Sequence, residues 1–171
     1  GPVSERFFAA QAGLGWIGRN GLLIRPGLGS YCFLASILTT LELPTDSPMP
    51  GRCGNCHRCE QACPTAALQN GCCDARRCLS YWTIEAKAPA PAEITRLQGE
   101  RLYGCDACQS PCPFNQHAAE HRNSSFDPLF DPTALDAEAW LTMTDEQFAA
   151  LAGATTMPRA GLARIKANID K

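Results

Sequence analysis

The sequence predicts an α+β fold of short elements organised around clustered cysteines, and three observations predict it. Eleven cysteines occur among 171 residues, and seven of them sit in two tight runs, at 53–63 and 105–112. Apolar runs at 22–25 and 31–38 are split by Pro26-Gly27-Leu28-Gly29, which reads as two strands and a short connection. Helical periodicity and capping signals recur on either side of the second cysteine run and into the C-terminal third.

Taken in order, residues 4–11 predict a short helix, apolar at Phe7, Phe8 and Ala10 and stopped by Gly13. Gly13, Gly15 and Gly18 surround Trp16 in a tight turn, and the two expected strands follow. Pro44, Pro48 and Pro50 mark a linker before the first cysteines. Residues 74–86 predict a helix with Leu79, Trp82 and Ala86 on one face, and residues 91–98 predict another. Thr144-Asp145-Glu146-Gln147 is a capping-box start for a helix reaching Leu151. Residues 158–169 predict a final helix with proline near its first turn. The chain carries no repeats and no low-complexity segment.

The formal net charge is −2, so the overall balance gives no sign of nucleic-acid binding, although a local basic face is compatible with it. Six acids and no Lys or Arg fall between Asn123 and Pro158, and Arg159, Arg164, Lys166 and Lys171 follow. The longest apolar stretch, 31–41, is interrupted by Ser36, Thr39 and Thr40 and is too short to span a bilayer. The chain opens without a signal peptide, and a secreted disulfide framework would spread its cysteines along the chain. A reducing, cytoplasmic setting without a membrane is expected.

Cys53, Cys56, Cys59 and Cys63 read C-x2-C-x2-C-x3-C and are followed by Pro64. Cys105, Cys108 and Cys112 read C-x2-C-x3-C and are followed by Pro113, and Cys78 stands alone between the runs. This is the bacterial ferredoxin spacing for two 4Fe–4S clusters. Two-residue gaps let successive sulfurs reach adjacent irons, and the cysteine before proline ligates the other cluster. One cluster is then expected on Cys53, Cys56, Cys59 and Cys112, the other on Cys63, Cys78, Cys105 and Cys108. The first ligand of the second set has moved upstream to Cys78, with an expected helix between, and a plain electron carrier has no evident need of that. Structural zinc also accepts C-x2-C pairs, but one zinc would leave four cysteines unexplained.

Cys32, Cys72 and Cys73 read as non-ligands: Cys32 as a buried small residue in a strand, the other two as neighbours poorly placed for a disulfide. His117 and His121 have i, i+4 spacing but no carboxylate motif beside them, which reads as a solvated face, and His57 reads as incidental. Trp16, Tyr81, Trp82 and Tyr103 could stack on a ring or a base, although aromatics so placed are more often core.

Several stretches together resemble the epoxyqueuosine reductase family of cobalamin-dependent iron–sulfur enzymes that act on tRNA. They are Ala12-Gly13-Leu14-Gly15-Trp16-Ile17-Gly18-Arg19-Asn20, Gly29-Ser30-Tyr31, and the first cysteine run through Pro64-Thr65-Ala66-Ala67-Leu68. Asp74-Ala75-Arg76-Arg77-Cys78-Leu79-Ser80-Tyr81, Arg101-Leu102-Tyr103-Gly104-Cys105-Asp106-Ala107-Cys108-Gln109 and Cys112-Pro113-Phe114-Asn115 complete the set. The resemblance is clear up to about Gln116 and weaker beyond.

The resemblance implies that the clusters feed electrons to cobalamin, which removes the epoxide oxygen of epoxyqueuosine in a tRNA anticodon loop. It implies that Asn20, Leu23, Leu34, Ser80 and Asp106 line the cobalamin. It implies a monomer served by an electron donor such as flavodoxin or ferredoxin. The proton-donor aspartate of the family immediately precedes the segment that begins here as Gly1-Pro2-Val3, so no catalytic residue is expected within 1–171. The chain is therefore expected to be a C-terminal portion, inactive alone. Its expected parts are 1–47, the end of an α/β cobalamin-binding domain; 48–121, a two-cluster ferredoxin-like domain; and 122–171, a short helical segment. Two competing readings are a two-cluster ferredoxin-type electron carrier and another cobalamin reductase such as a reductive dehalogenase. The Gly-Trp turn and the upstream Cys78 favour the tRNA enzyme over the carrier.

Overall fold

The computed structural model describes residues 4–120 and 123–171. The described elements run α1 (Glu5–Gln11), β1 (Trp16–Ile17), β2 (Leu23–Ile24), α2 (Arg58–Gln61), β3 (Leu68–Gln69), β4 (Cys72–Cys73), α3 (Ala92–Gln98), α4 (Pro113–Gln116), α5 (Ala137–Thr142), α6 (Asp145–Ala152) and α7 (Leu162–Ile169). A π-helix covers Tyr81–Glu85, and single 3-10 turns fill several connections. Helices and antiparallel hairpins thus both contribute. The chain divides into two compact units: Gly1–Asp74 with Asp106–Glu120, and Ala75–Cys105 with His121–Lys171. Among the described residues no helix is long and apolar enough to cross a membrane.

In the first unit β1 and β2 pair antiparallel, with Trp16 opposite Ile24 and Ile17 opposite Leu23. Gly15 permits this approach, since a Cβ there would lie 2.1 Å from the Ile24 carbonyl oxygen. The expected pairing of 22–25 with 31–38 is not what forms. Leu23–Ile24 turns back onto the Trp16 strand, a single bridge joins Arg25 to Gly29, and 31–38 carries no strand. Phe33 and Leu38 remain 83% and 95% exposed, and the run borders a cavity shared with Phe8 and Leu23. Cys32 is accordingly half-buried and outside any strand, not a buried strand residue.

The second hairpin, β3 with β4, closes through Asn70-Gly71, both at positive φ (52° and 76°). That is the type I′ geometry matching strand twist, and Asn-Gly is its preferred pair. One buried cluster of this unit joins Trp16, Ile24 and Cys112, with Met49, Cys53 and Phe114 packed against it, and Ala9, Leu23, Ala67 and Leu68 are buried elsewhere in the unit.

The second unit has a larger apolar core of Trp140, Met143, Phe148, Ala152, Met157, Leu162 and Ile165. The capping box at Thr144 and Gln147 forms as expected and starts α6. The last helix starts later than expected. Met157–Arg159 forms a 3-10 turn, Gly161 adopts φ +79°, and α7 begins at Leu162. The expected helix 74–86 is also broken, into a 3-10 turn at Ala75–Arg77 and the π-helix. Thr83 accounts for the second piece. Its buried hydroxyl donates to the Leu79 carbonyl four residues back (2.8 Å) and accepts from the Gly104 N–H (3.0 Å). Such back-bonding competes with the helical ladder, and Ala86 N–H then reaches the Tyr81 carbonyl, a five-residue step. Asn168, also buried, donates to the carbonyls of Thr83 (3.1 Å) and Leu102 (2.7 Å), tying α7 to this segment.

Candidate metal centre

The first cysteine run begins as a turn, with Cys56 N–H donating to the Cys53 carbonyl (3.0 Å), and Cys59 rides on α2. The second run is also a turn, closed by Cys112 N–H on the Gln109 carbonyl (3.0 Å). Pro113 then occupies the first turn of α4, where its missing N–H costs nothing. Proline also holds the preceding residue extended, and Cys112 has φ −67°, ψ 124°. The result is one cavity of about 240 Å3 lined by Cys53, Cys56, Cys59 and Cys112, with Asn20, Ile24, Phe114 and three arginines, Arg19, Arg52 and Arg58. Cys63 is not among the residues that line it.

Four thiols are a soft donor set, suited to iron–sulfur clusters or zinc. Among the described residues no three Cys, His, Asp or Glu side chains converge to hold a single ion. A tetrahedral zinc draws all its sulfurs to about 2.3 Å from one centre. Thiols spread around a cavity suit a four-iron, four-sulfide cluster better.

The walls of this cavity are fixed by parts distant in sequence. Trp16 is 3% exposed, packs edge-on against Phe114 (centroids 4.8 Å apart, 77° between planes), and donates its Nε1–H to Cys53 Sγ at 3.5 Å. The Trp16 ring is thus core, and its polar edge faces a cysteine sulfur. Ser30 and Asn115 lock the loop after β2 onto the second run. Ser30 N–H donates to Asn115 Oδ1 (2.6 Å), Ser30 Oγ donates to Gln109 Oε1 (2.9 Å), and Asn115 Nδ2 donates to Ser30 Oγ and the Gln109 carbonyl. A Cβ on Gly29 would lie 2.1 Å from Asn115 Oδ1, so only glycine fits there.

Of the other four cysteines, Cys63 and Cys108 belong to the first unit, Cys78 and Cys105 to the second. Burial alone would push the Cys63 thiol up. The Thr65 hydroxyl at 3.7 Å and the Ala67 N–H, donating at 3.2 Å, outweigh it and hold the thiol below its ordinary value. A thiolate is the form that binds metal. Cys59, by contrast, is pushed up by burial. Cys78 ends the 3-10 turn, its N–H on the Ala75 carbonyl (3.0 Å), and its own carbonyl accepts from Trp82 N–H. Cys105 follows Gly104, whose N–H is fixed by Thr83.

The remaining sequence candidates distribute as follows. Leu23 is buried, and with Leu34, Cys32 and Phe8 it lines an apolar cavity of about 480 Å3. Asp106 is exposed and accepts from Gln109 Nε2 (2.7 Å); Ser80 is half-buried and precedes the π-helix. Cys72 and Cys73 lie exposed on β4. His57 is exposed and paired with Glu60, whose carboxyl is held below the usual carboxylate range by that histidine and by the Gly71 N–H. His117 is exposed, and His121 lies outside the described residues. Tyr103 packs on the second unit's core and donates to the Thr156 carbonyl (2.7 Å). Tyr81 and Trp82 meet edge-on, and Trp82 Nε1–H donates to the Arg76 carbonyl.

Residues 52–115 match the family model described as a 4Fe–4S double cluster binding domain. The epoxyqueuosine reductase of Yersinia pestis is 40% identical over 173 residues, covering 99% of this chain and 41% of that protein. The structure of epoxyqueuosine reductase from Bacillus subtilis superposes with a TM-score of 0.92 at 34% identity, over 99% of this chain and 45% of that one. A crystal structure of epoxyqueuosine reductase with an epoxyqueuosine-modified tRNA-Tyr stem loop matches equally, with TM-score 0.92 and 34% identity over the same shares. The chain spans about half the length of the curated relatives it matches. With a 4Fe–4S double cluster binding domain at its centre, it is a partial-length relative of the epoxyqueuosine reductases.

Proposed function

We propose that this chain supplies the iron–sulfur part of an enzyme that reduces epoxyqueuosine to queuosine in a tRNA anticodon loop. The observation that carries the reading is that the match to these reductases runs over 99% of the chain, far beyond the double-cluster segment 52–115. A ferredoxin-type carrier would account for that segment alone.

The first cluster is held by Cys53, Cys56, Cys59 and Cys112, a reading supported by their shared cavity and by the Trp16 donor on Cys53. The second is held by Cys63, Cys78, Cys105 and Cys108, supported by the spacing and by the donors that favour a Cys63 thiolate. Each cluster, when bound, supplies single electrons, and cobalamin supplies a centre that can deliver two. Removing an epoxide oxygen as water takes two electrons and two protons and leaves an alkene.

The chain's own residues are read as holding the clusters, with Trp16 and Phe114 packed together beside the first set of cysteines and Ser30 and Asn115 fixing the loop after β2 on the second cysteine run. Leu23 and Leu34 are proposed to contribute to the cobalamin surface, which their common apolar cavity supports, with Ser80 and Asp106 beside the clusters. Asn20 also belongs to that set by resemblance, and it borders the cysteine cavity. Residues 1–47 are read as part of the cobalamin-binding domain, 48–121 as the ferredoxin-like domain and 122–171 as a helical segment. The setting is cytoplasmic, the protein monomeric, and its donor a flavodoxin or ferredoxin.

The test uses a strain lacking epoxyqueuosine reductase. The complete coding sequence that contains residues 1–171 is expected to restore queuosine in tRNA, read by mass spectrometry of nucleosides, and Cys53→Ser to abolish it. Restoration by the serine variant would remove the first cluster from the mechanism. No restoration by the unsubstituted protein would favour a reductase of another substrate.

A further inference from the structure

Asn20 is buried, only 6% exposed, and borders the cavity of Cys53, Cys56, Cys59 and Cys112. Its two amide ends are treated unequally. Oδ1 accepts the Leu22 N–H at 3.2 Å, which fixes the side chain across the β1–β2 turn. Nδ2 is buried and finds no hydrogen-bond partner among the described residues. Gly18 makes room for this arrangement, because a Cβ there would lie 2.8 Å from Asn20 Oδ1. Arg19 adds a second unpartnered buried donor, Nε, on the same wall, while its Nη2 donates to the Gly54 carbonyl (3.1 Å).

A buried N–H left without an acceptor carries the cost of its desolvation uncompensated. A fold that retains one beside four thiols has an acceptor for it when the cavity is filled. The sulfides and thiolates of a 4Fe–4S cluster are such acceptors, and hydrogen bonds to cluster sulfur are one of the determinants of its potential. A one-electron reduction makes the cluster more negative. A donor therefore binds the reduced form more strongly and raises the potential.

We propose that Asn20 donates Nδ2–H to the cluster held by Cys53, Cys56, Cys59 and Cys112 and, with Trp16 Nε1–H on Cys53, sets that cluster's reduction potential. Asn20 is thereby a positioning and tuning residue of the electron path. The inference rests on the ligand set proposed above for the first cluster.

The test is made on the anaerobically purified protein carrying its clusters, with iron and sulfide counted first. With asparagine selectively labelled with nitrogen-15, pulsed EPR of the reduced first cluster is expected to show a coupled side-chain nitrogen. Asn20→Leu, which removes both ends of the amide, is expected to abolish that coupling. It should also shift the cluster's reduction equilibrium about tenfold toward the oxidised form, a lowering of about 59 mV for a one-electron couple. Asn20→Asp keeps an oxygen for Leu22 and loses the donor, so it should lower the potential while preserving the turn. The second cluster's potential should not move in either variant. Absence of nitrogen coupling in the unsubstituted protein, or an unchanged first-cluster potential in a variant with full iron content, would overturn the inference alone. A protein that forms no cluster at these four cysteines would overturn the ligand set and the inference with it.

Discussion

Replacing Trp16 by phenylalanine separates what its ring does from what its N–H does. The ring is buried, 3% exposed, and meets Phe114 edge-on; the N–H points at Cys53 Sγ from 3.5 Å. Phenylalanine keeps most of the apolar volume and the aromatic contact, and it removes one N–H···S bond at the long end of the range. A neutral hydrogen bond contributes about 0.5–1.5 kcal/mol net. Only its difference between oxidised and reduced cluster enters the potential, so about 0.5–1 kcal/mol is at stake. At about 59 mV per tenfold change for one electron, that lowers the potential by about 20–40 mV. Trp16→Ala is a different perturbation. It empties the small core shared with Ile24 and Cys112 and costs about 3–5 kcal/mol, enough to endanger the first unit. The assay is an EPR-monitored redox titration of the reconstituted protein, with iron content measured on each variant. The reasoning is refuted if Trp16→Phe holds full iron yet leaves the first-cluster potential unmoved, or moves only the second cluster.

Two further outcomes follow from the same structure. Cys112→Ser is expected to damage the cluster of Cys53, Cys56 and Cys59, whose cavity Cys112 shares, and Cys63→Ser the cluster of Cys78, Cys105 and Cys108; Mössbauer spectra in which each change harms only its own run's cluster would exclude the crossing. Stripping iron with a chelator after oxidation is expected to speed amide hydrogen exchange in β1, β2 and the two cysteine runs by tenfold or more, while α5–α7, packed around Trp140 and Ile165, stay protected. Equal loss of protection in both places would show that the clusters do not selectively hold the first unit.

What the sequence made legible was local. Proline after a cysteine and a capping box are both written within a few residues, and Pro113 and the Thr144–Gln147 box have their counterparts in the structure. The partner of Leu23–Ile24 was not, because pairing is a choice between two apolar neighbours, and the glycines around Trp16 let that strand approach more closely than 31–38 does. Asn70-Gly71 carried a hairpin signal, yet the cysteines after it draw attention to metal chemistry instead of to a strand. The broken helix near Ser80 depended on a hydroxyl at Thr83 finding Gly104, 21 residues away. At the site, the sequence offered eight cysteines, of which Cys53, Cys56, Cys59 and Cys112 line one cavity, and the surroundings of that cavity were not readable. The Ser30–Gln109–Asn115 bonds span 79–85 residues, and the direction of the Trp16 N–H is set by how its ring packs on Phe114.

These surroundings bear on why the first unit exists at all. Among the described residues, the buried cluster beside its cysteine cavity has three members, one of them a cysteine, and the main cluster of the second unit has seven. Ile37, Leu38 and Leu41 are 90%, 95% and 71% exposed. Small domains commonly gain stability from bound metal. Here the polar links do the aligning. Ser30 and Asn115 join the loop after β2 to the second cysteine run, and the Trp16 turn closes over the first. The four thiols are left around a cavity with unpartnered donors on its wall. A cluster bound to those thiols, as proposed above, would offer the donors acceptors and crosslink segments more than fifty residues apart. Residues proposed to tune the potential of a cluster bound there, Asn20 and Trp16, are therefore expected to bear also on how firmly this part of the unit folds.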